Sequence, residues 1–188
     1  MKAIYIKEYG NAQKLIQGEL PRPSINDHEV LIKIQAAAIN PVDWMVREGL
    51  LADGASLEQP LILGWDAAGT VCEMGESVKD FTLGDEVFVY APILEQGSYA
   101  QYIAVDAGIV ARKPTSLDVT TSAAVPLAAT TAFQALTQGG KLQKGQTVLI
   151  HNAAGGVGSF AVQIAKSLGA HVIGTASNAK REFVMSLG

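Results

Sequence analysis

The chain is expected to be an α/β protein: a β-rich, barrel-like first part followed by a partial doubly wound nucleotide-binding domain. Three observations predict this. The first hundred residues carry short β-branched and aromatic runs, with Gly75, Gly84-Asp85 and Gly97 punctuating them at spacings near ten. From Ser116 onward the pattern turns helical. Residues 148–177, VLIHNAAGGVGSFAVQIAKSLGAHVIGTAS, then lay out strand, glycine turn, helix and strand. With 188 residues, 48 % of them apolar and 17 % charged, the chain can bury a substantial core and has room for one or two domains.

Each element has a local reason. Ala3–Ile6 and Val30–Ile34 read as strands, separated by a turn rich in proline and polar residues from Pro21 to Asp27. Gly69–Met74, Glu86–Tyr90 and Ser98–Val105 are further strands. Pro41 to Leu51 reads as a helix, with proline early and Gly49 near its end. Thr120–Val125 and Leu127–Leu136 are short helices, the second closed by Gly139-Gly140. In the next helix Phe160, Ala161, Ile164, Ala165 and Leu168 recur on one face, and Gly169 ends it. Asn178 is the expected N-cap of a last helix carrying Phe183, Val184 and Leu187. A doubly wound domain has about six parallel strands. Only two are expected after residue 140, so the nucleotide domain reads as incomplete, ending where a third strand should begin.

The glycine turn carries the first functional expectation. Ala153-Ala154-Gly155-Gly156-Val157-Gly158 replaces the first glycine of G-x-G-x-x-G by alanine. Gly155 and Gly158 let the backbone approach a pyrophosphate and let the helix pack on its strand, while N–H groups at the helix start face the anion. The bland alternative is a tight turn with no ligand. An NAD site places an acid near the end of the second strand, to hold the ribose 2′-OH. No acidic residue occurs from Ser159 to Arg181, and that place holds Thr175, Ala176 and Ser177, followed by Lys180 and Arg181. Hydroxyls and cations suit a 2′-phosphate, so NADP(H) is the expected cofactor. The competing reading makes Lys180 and Arg181 the solvated face of a helix.

Charge divides the chain. Residues 1–110 hold seven Lys/Arg against 16 Asp/Glu, a net −9, and residues 111–188 hold seven against two, a net +5, for −4 in all. This break predicts a domain boundary near 110, and the positive half carries the phosphate loop. Net negative charge without a basic stripe argues against a nucleic-acid partner. The single cysteine, Cys72, excludes an intramolecular disulfide and reads as a small core or strand residue. No signal peptide, transit peptide or membrane-length apolar run is read, so a soluble, cytoplasmic protein without a membrane partner is expected.

Five stretches, in order, are similar to the medium-chain dehydrogenase/reductase superfamily and resemble its zinc-free, quinone oxidoreductase-like branch: Ala36–Asp43, Leu63–Gly69, Gly84–Val87, Pro126–Ala132 and the Gly155–Gly158 loop. The resemblance spans the whole chain. It implies a GroES-like barrel over residues 1–115 and a partial NADP-binding Rossmann domain over residues 116–188. Zinc members hold their catalytic metal with a Cys, a His and a third ligand. Here Asn40 stands at what looks like the Cys position and Trp65 at the His position, and neither can replace those ligands. His28, His151 and His171 form no ligand spacing, so no metal is expected. Asp66 stands where zinc members carry an acid behind the ligands, and a structural hydrogen bond or ion pair is its expected role.

Without a zinc Lewis acid, the resemblance implies hydride transfer to an already activated acceptor, a quinone or an α,β-unsaturated carbonyl. Asn40 would line the nicotinamide end of the cleft and Thr131 would contact the cofactor near it. Asp43 and Trp44 would shape the substrate side. Cofactor binding is thus expected of Asn40, Thr131, Gly155, Gly156, Val157, Gly158, Ser177, Lys180 and Arg181. The alternative for Asn40 and Asp43 is helix capping alone. No proton donor is identified; Tyr90, Tyr99 and Tyr102 are candidates by chemistry. Two other readings stay open: a non-catalytic GroES-like binding or regulatory fragment, and an enoyl reductase-type domain. Family members often pair through late strands of the nucleotide domain, which leaves a homodimer open.

Overall fold

In a computed structural model, which describes residues 1–54 and 56–188, the chain forms two compact units, Met1–Pro126 and Leu127–Gly188. The first contains β1 (Lys2–Ile6), β2 (Ile16–Glu19), β3 (Glu29–Ala38), α1 (Pro41–Arg47), β4 (Leu61–Ile62), β5 (Asp66–Met74), β6 (Glu86–Tyr90), β7 (Tyr102–Asp106), β8 (Val110–Arg112) and α2 (Val119–Ala123). These strands do not close into the expected barrel. They make an open five-stranded sheet, β7-β3-β5-β6-β8, and a three-stranded one, β2-β1-β4. Among the described residues, short β8 and β2 end their sheets without a strand partner on the outer side, so no ladder completes the circle. Backbone bonds from residues 97–101 tie the two sheets: Gly97 N–H donates to Ile62, Tyr99 to Leu63, Ile4 to Tyr99 and Ile34 to Gln101. The residues expected as a strand from Ser98 therefore serve as a connector, and the strand begins only at Tyr102.

β3 extends four residues past the expected Val30–Ile34 run, through Gln35-Ala36-Ala37-Ala38, a sequence without β preference. Pairing overrides it: Ala36, Ala37 and Ala38 lie opposite Ala68, Ala67 and Asp66 of β5. A register shift between Ile34 and Ala36 accompanies the crossing. Gly69 is required there, since a Cβ would run into the Lys33 carbonyl. Val30, Leu31 and Ile32 are all buried because α2 packs on β3 and β5 from the other side. That packing carries the first unit on to Pro126, past the expected boundary at 115. The core gathers Ile6, Val30, Ile32, Val46, Trp65 and Val87. Cys72 is half-buried in β5, its Sγ 3.3 Å from the Leu31 carbonyl.

The second unit holds α3 (Pro126–Gln134), which passes into a π-helical turn at Ala135–Gly139, then β9 (Thr147–Ile150), α4 (Gly156–Ser167), β10 (His171–Gly174) and α5 (Arg181–Ser186). β9 and β10 pair in parallel, Thr147 opposite His171 through Ile150 opposite Gly174. α4 lays Ala161, Val162 and Ala165 against Ala132, Ile150 and Ala153. Small residues here allow the close helix–strand approach of a βαβ unit. Asn178 is not the cap of the last helix. Ser177 caps a 3-10 turn over Asn178–Lys180, and α5 starts at Arg181. α1 likewise stops at Arg47, short of the expected Leu51.

Candidate functional site

In the first unit, the Ala38–Asp66 pairing brings the end of β3 to the start of β5, so that Asn40, two residues on, faces Asp66. Asn40 Nδ2 donates to Asp66 Oδ2 at 2.9 Å. Asn40 is also the N-cap of α1, and its backbone N–H donates to Asp43 Oδ2 at 2.7 Å. That oxygen takes a second bond, from the Tyr99 hydroxyl at 2.6 Å. The Ser98 hydroxyl donates to the Asp66 carbonyl at 2.8 Å, and Ser98 N–H to the Gly64 carbonyl at 2.7 Å. Gly64 has φ +79°, and a Cβ on it would strike the Tyr99 ring. Asn40, Asp43, Asp66, Ser98 and Tyr99 are thus one network. Asp43 and Asp66 are both buried.

Burial pushes the Asp43 carboxyl above its ordinary range, opposed by its bonds from Asn40 N–H and Tyr99. Tyr99 is pushed up by burial and then by the hydrogen bond and charge of Asp43, so its proton stays on the phenol and points at Asp43. Tyr102 lies beneath the Arg22 guanidinium, 4.5 Å from the ring centre. Tyr90, opposite Asp66 across β5 and β6, is raised by burial and by the Asp66 charge. The buried indole of Trp65 donates to the Glu95 carbonyl at 3.2 Å, whereas Trp44 and Ile39 stand exposed on either side of Asn40 in sequence, at 45 % and 86 %. Among the described residues, no three His, Cys, Asp or Glu side chains group as metal ligands.

In the second unit the glycine turn does two different things. Gly158 is buried, and a Cβ there would collide with the Asn152 carbonyl and with Ala153, so only glycine lets α4 sit this close to its strand. Gly156 faces open space, with nothing within 4 Å of where a Cβ would be. The first N–H of α4 with a backbone acceptor belongs to Ser159, which donates to the Gly155 carbonyl at 2.9 Å. The amides of Gly156, Val157 and Gly158 are the orphan donors of this helix start, and negative charge is favoured in front of them. An open approach and orphan amides fit a dinucleotide pyrophosphate. Asn152, at φ +52°, turns the chain into the loop. The Thr175 hydroxyl ties the end of β10 back to this turn, taking Asn152 N–H at 3.2 Å. Ser177, Lys180 and Arg181 are exposed and follow Thr175. Thr131 is exposed on α3, with its hydroxyl donated to the Leu127 carbonyl at 2.8 Å.

Known proteins resemble this chain in sequence and fold. The family description "alcohol dehydrogenase GroES-like domain" matches residues 26–115. The NADPH-dependent alkenal/one oxidoreductase of Arabidopsis thaliana, a chloroplastic protein, is 39 % identical across 100 % of this chain and 50 % of its own length. The quinone oxidoreductase structure from Coxiella burnetii superimposes with a TM-score of 0.89 at 35 % identity, covering 100 % of this chain and 60 % of that one. The CurK enoyl reductase structure gives 0.89 at 36 % identity, covering 100 % and 57 %. Over its whole length this chain is similar to members of the medium-chain dehydrogenase/reductase superfamily. It spans between 50 % and 59 % of the length of the first curated relatives it matches.

Motif reading singled out Asn40, Asp43 and the Gly155–Gly158 turn but not the network around Asn40. Tyr99 meets Asp43 across 56 positions of sequence, and no local pattern signals that contact. The positive φ of Gly64 was equally silent. Asp66 stood out only through the resemblance, and its partner is now Asn40.

Proposed function

We propose that this chain is the GroES-like and dinucleotide-binding portion of an NADPH-dependent, metal-free oxidoreductase acting on a quinone or an α,β-unsaturated carbonyl. The observation that carries it is the second unit's phosphate loop, open at Gly156 with orphan amides at the helix start, followed at the end of β10 by hydroxyls and cations in place of an acid. The names of the relatives support the acceptor class: alkenals and enones for one, quinones for another. When bound, NADPH supplies the hydride. Gly155, Gly156, Val157 and Gly158 hold the pyrophosphate through main-chain amides. Ser177, Lys180 and Arg181 receive the 2′-phosphate. Asn40 faces the nicotinamide end, Thr131 contacts the cofactor, and Asp43 and Trp44 border the substrate. The metal-free reading rests on donor chemistry, since an amide at Asn40 and a buried indole at Trp65 are poor zinc ligands.

The test is a fluorescence titration with NADPH and NADH, followed by turnover with a panel of quinones and enals. NADPH binding at least about tenfold tighter than NADH is expected, and the double variant Lys180→Ala, Arg181→Ala should abolish the preference. Equal affinity for the two nucleotides would sink the 2′-phosphate assignment. An enoyl reductase is the second reading, favoured by the likeness to the CurK structure; turnover of acyl-thioester enoyl substrates above small quinones would select it.

A further inference from the structure

Asn40 is held twice. Its main chain is fixed by the Asp43 carboxylate, which takes the Asn40 backbone N–H at 2.7 Å. Its side chain is fixed by Asp66, which takes Nδ2 at 2.9 Å. A carboxylate only accepts hydrogen bonds, so Asp66 also decides which way the amide is turned: the NH2 must face Asp66 and the carbonyl oxygen must face elsewhere. Each acid is supported in turn. The Tyr99 hydroxyl bonds Asp43 at 2.6 Å, and the Ser98 hydroxyl bonds the Asp66 main chain at 2.8 Å. Ser98 and Tyr99 are themselves anchored to Gly64 and Leu63 through their N–H groups. Helix capping explains the Asp43–Asn40 bond but not why a second, fully buried carboxylate is placed on the Asn40 side chain. Burying a charge costs free energy that only specific partners offset.

We propose that Asp66 and Asp43, with Tyr99 behind Asp43, are positioning residues that lock Asn40 in one amide orientation, with its carbonyl oxygen presented away from Asp66 as a fixed acceptor. What the locked amide serves rests on the reading of Asn40 as a residue at the nicotinamide end. The lock itself does not. A reacting pair gains rate only when the groups that orient it are themselves held. A free asparagine amide would sample both flips, and only one puts the acceptor forward.

The test reads the Asn40 side-chain NH2 by proton–nitrogen NMR on the whole chain, assigned through its loss in Asn40→Ser. In the wild type the NH2 protons should exchange with water about tenfold or more slowly than those of an exposed asparagine amide. Asp66→Asn keeps the volume but offers an amide in place of an acceptor-only carboxylate. It should release the Asn40 signal toward the exposed rate, and Tyr99→Phe should do so only in part. Melting temperatures separate this from a purely structural role, which would lower stability without moving the Asn40 resonance. Solvent-rate exchange of the Asn40 amide in the wild type, or an unchanged signal in Asp66→Asn, overturns the proposal. In the quinone assay Asp66→Asn should lower kcat about tenfold with little change in KM. Should Asn40→Ala retain full turnover while the amide stays protected in the wild type, the catalytic reading of Asn40 fails and the lock stands.

Discussion

Asp43 is a buried acid with a clear electrostatic consequence. Its carboxyl titrates above the ordinary 3.8 because burial outweighs the two bonds it accepts. The folded state therefore holds a proton that the unfolded state has already released. Stability contributed by this group is greatest below that ordinary value and is lost as pH rises through the raised range. Asp43→Asn removes the titration, so the stability of the variant relative to the wild type should rise as pH goes from about 3.5 to 7. Urea denaturation at several pH values checks this, and a pH-independent difference would show that Asp43 is not destabilised by burial. Gly64 offers a steric counterpart. At φ +79°, with the Tyr99 ring and the Ser98 hydroxyl where a Cβ would stand, Gly64→Ala should cost about 2–4 kcal/mol in unfolding free energy. A loss under about 0.5 kcal/mol would mean that Tyr99 is free to move aside.

At the scale of elements, α4 is the piece whose placement matters most to the proposed cofactor site. Its apolar stripe was readable as a 3.6-residue repeat, and Gly155 as its cap lies where the motif put it. How close it sits to β9 depends on Gly158 together with the small Ala161 and Ala165 on the same helix. Gly158→Ala drives a methyl into the Asn152 carbonyl, so α4 must shift outward. We expect a loss of about 1–3 kcal/mol in unfolding free energy together with weaker dinucleotide binding. Gly156→Ala, with open space at its Cβ, should leave stability nearly unchanged while hindering the ligand's approach. Comparing the two variants by thermal unfolding and by titration separates packing from binding. β3 shows the opposite balance between local and tertiary preference. Its Gln35–Ala38 half is a strand only because β5 lies beside it, and through that pairing Asn40 reaches Asp66.

At the scale of the whole chain, the charge imbalance follows the two compact units. Residues 1–126 carry nine Lys/Arg and 17 Asp/Glu, net −8, whereas residues 127–188 carry five and one, net +4. A 2′-phosphate dinucleotide, about two charges more negative than its counterpart without that phosphate, would feel the positive unit over about a Debye length, roughly 10 Å at 0.1 M salt. NADPH affinity should therefore fall as salt is raised from about 0.02 to 0.5 M, more steeply than NADH affinity. Parallel slopes for the two nucleotides would argue against Lys180 and Arg181 as phosphate ligands. No helix among the described residues is long and apolar enough to cross a membrane. The cytoplasmic expectation draws no support from relatives named as chloroplastic and mitochondrial proteins.

The sequence by itself determined the βαβ unit, its glycine turn, the missing acid after β10 and the order of five stretches that resemble the superfamily. Those features are local: a 3.6-residue stripe, glycines in a turn and residue types at set offsets act through neighbours in the chain. Tertiary structure alone decided that the strands form two open sheets, that β3 runs on to Ala38, and that α2 joins the first unit. It also decided the surroundings of Asn40. Asp66 and Tyr99 reach it and Asp43 from 26 and 56 positions away, through strand register and a buried backbone connector. Such contacts are set by how sheets pair and pack, and no spacing within one segment encodes them.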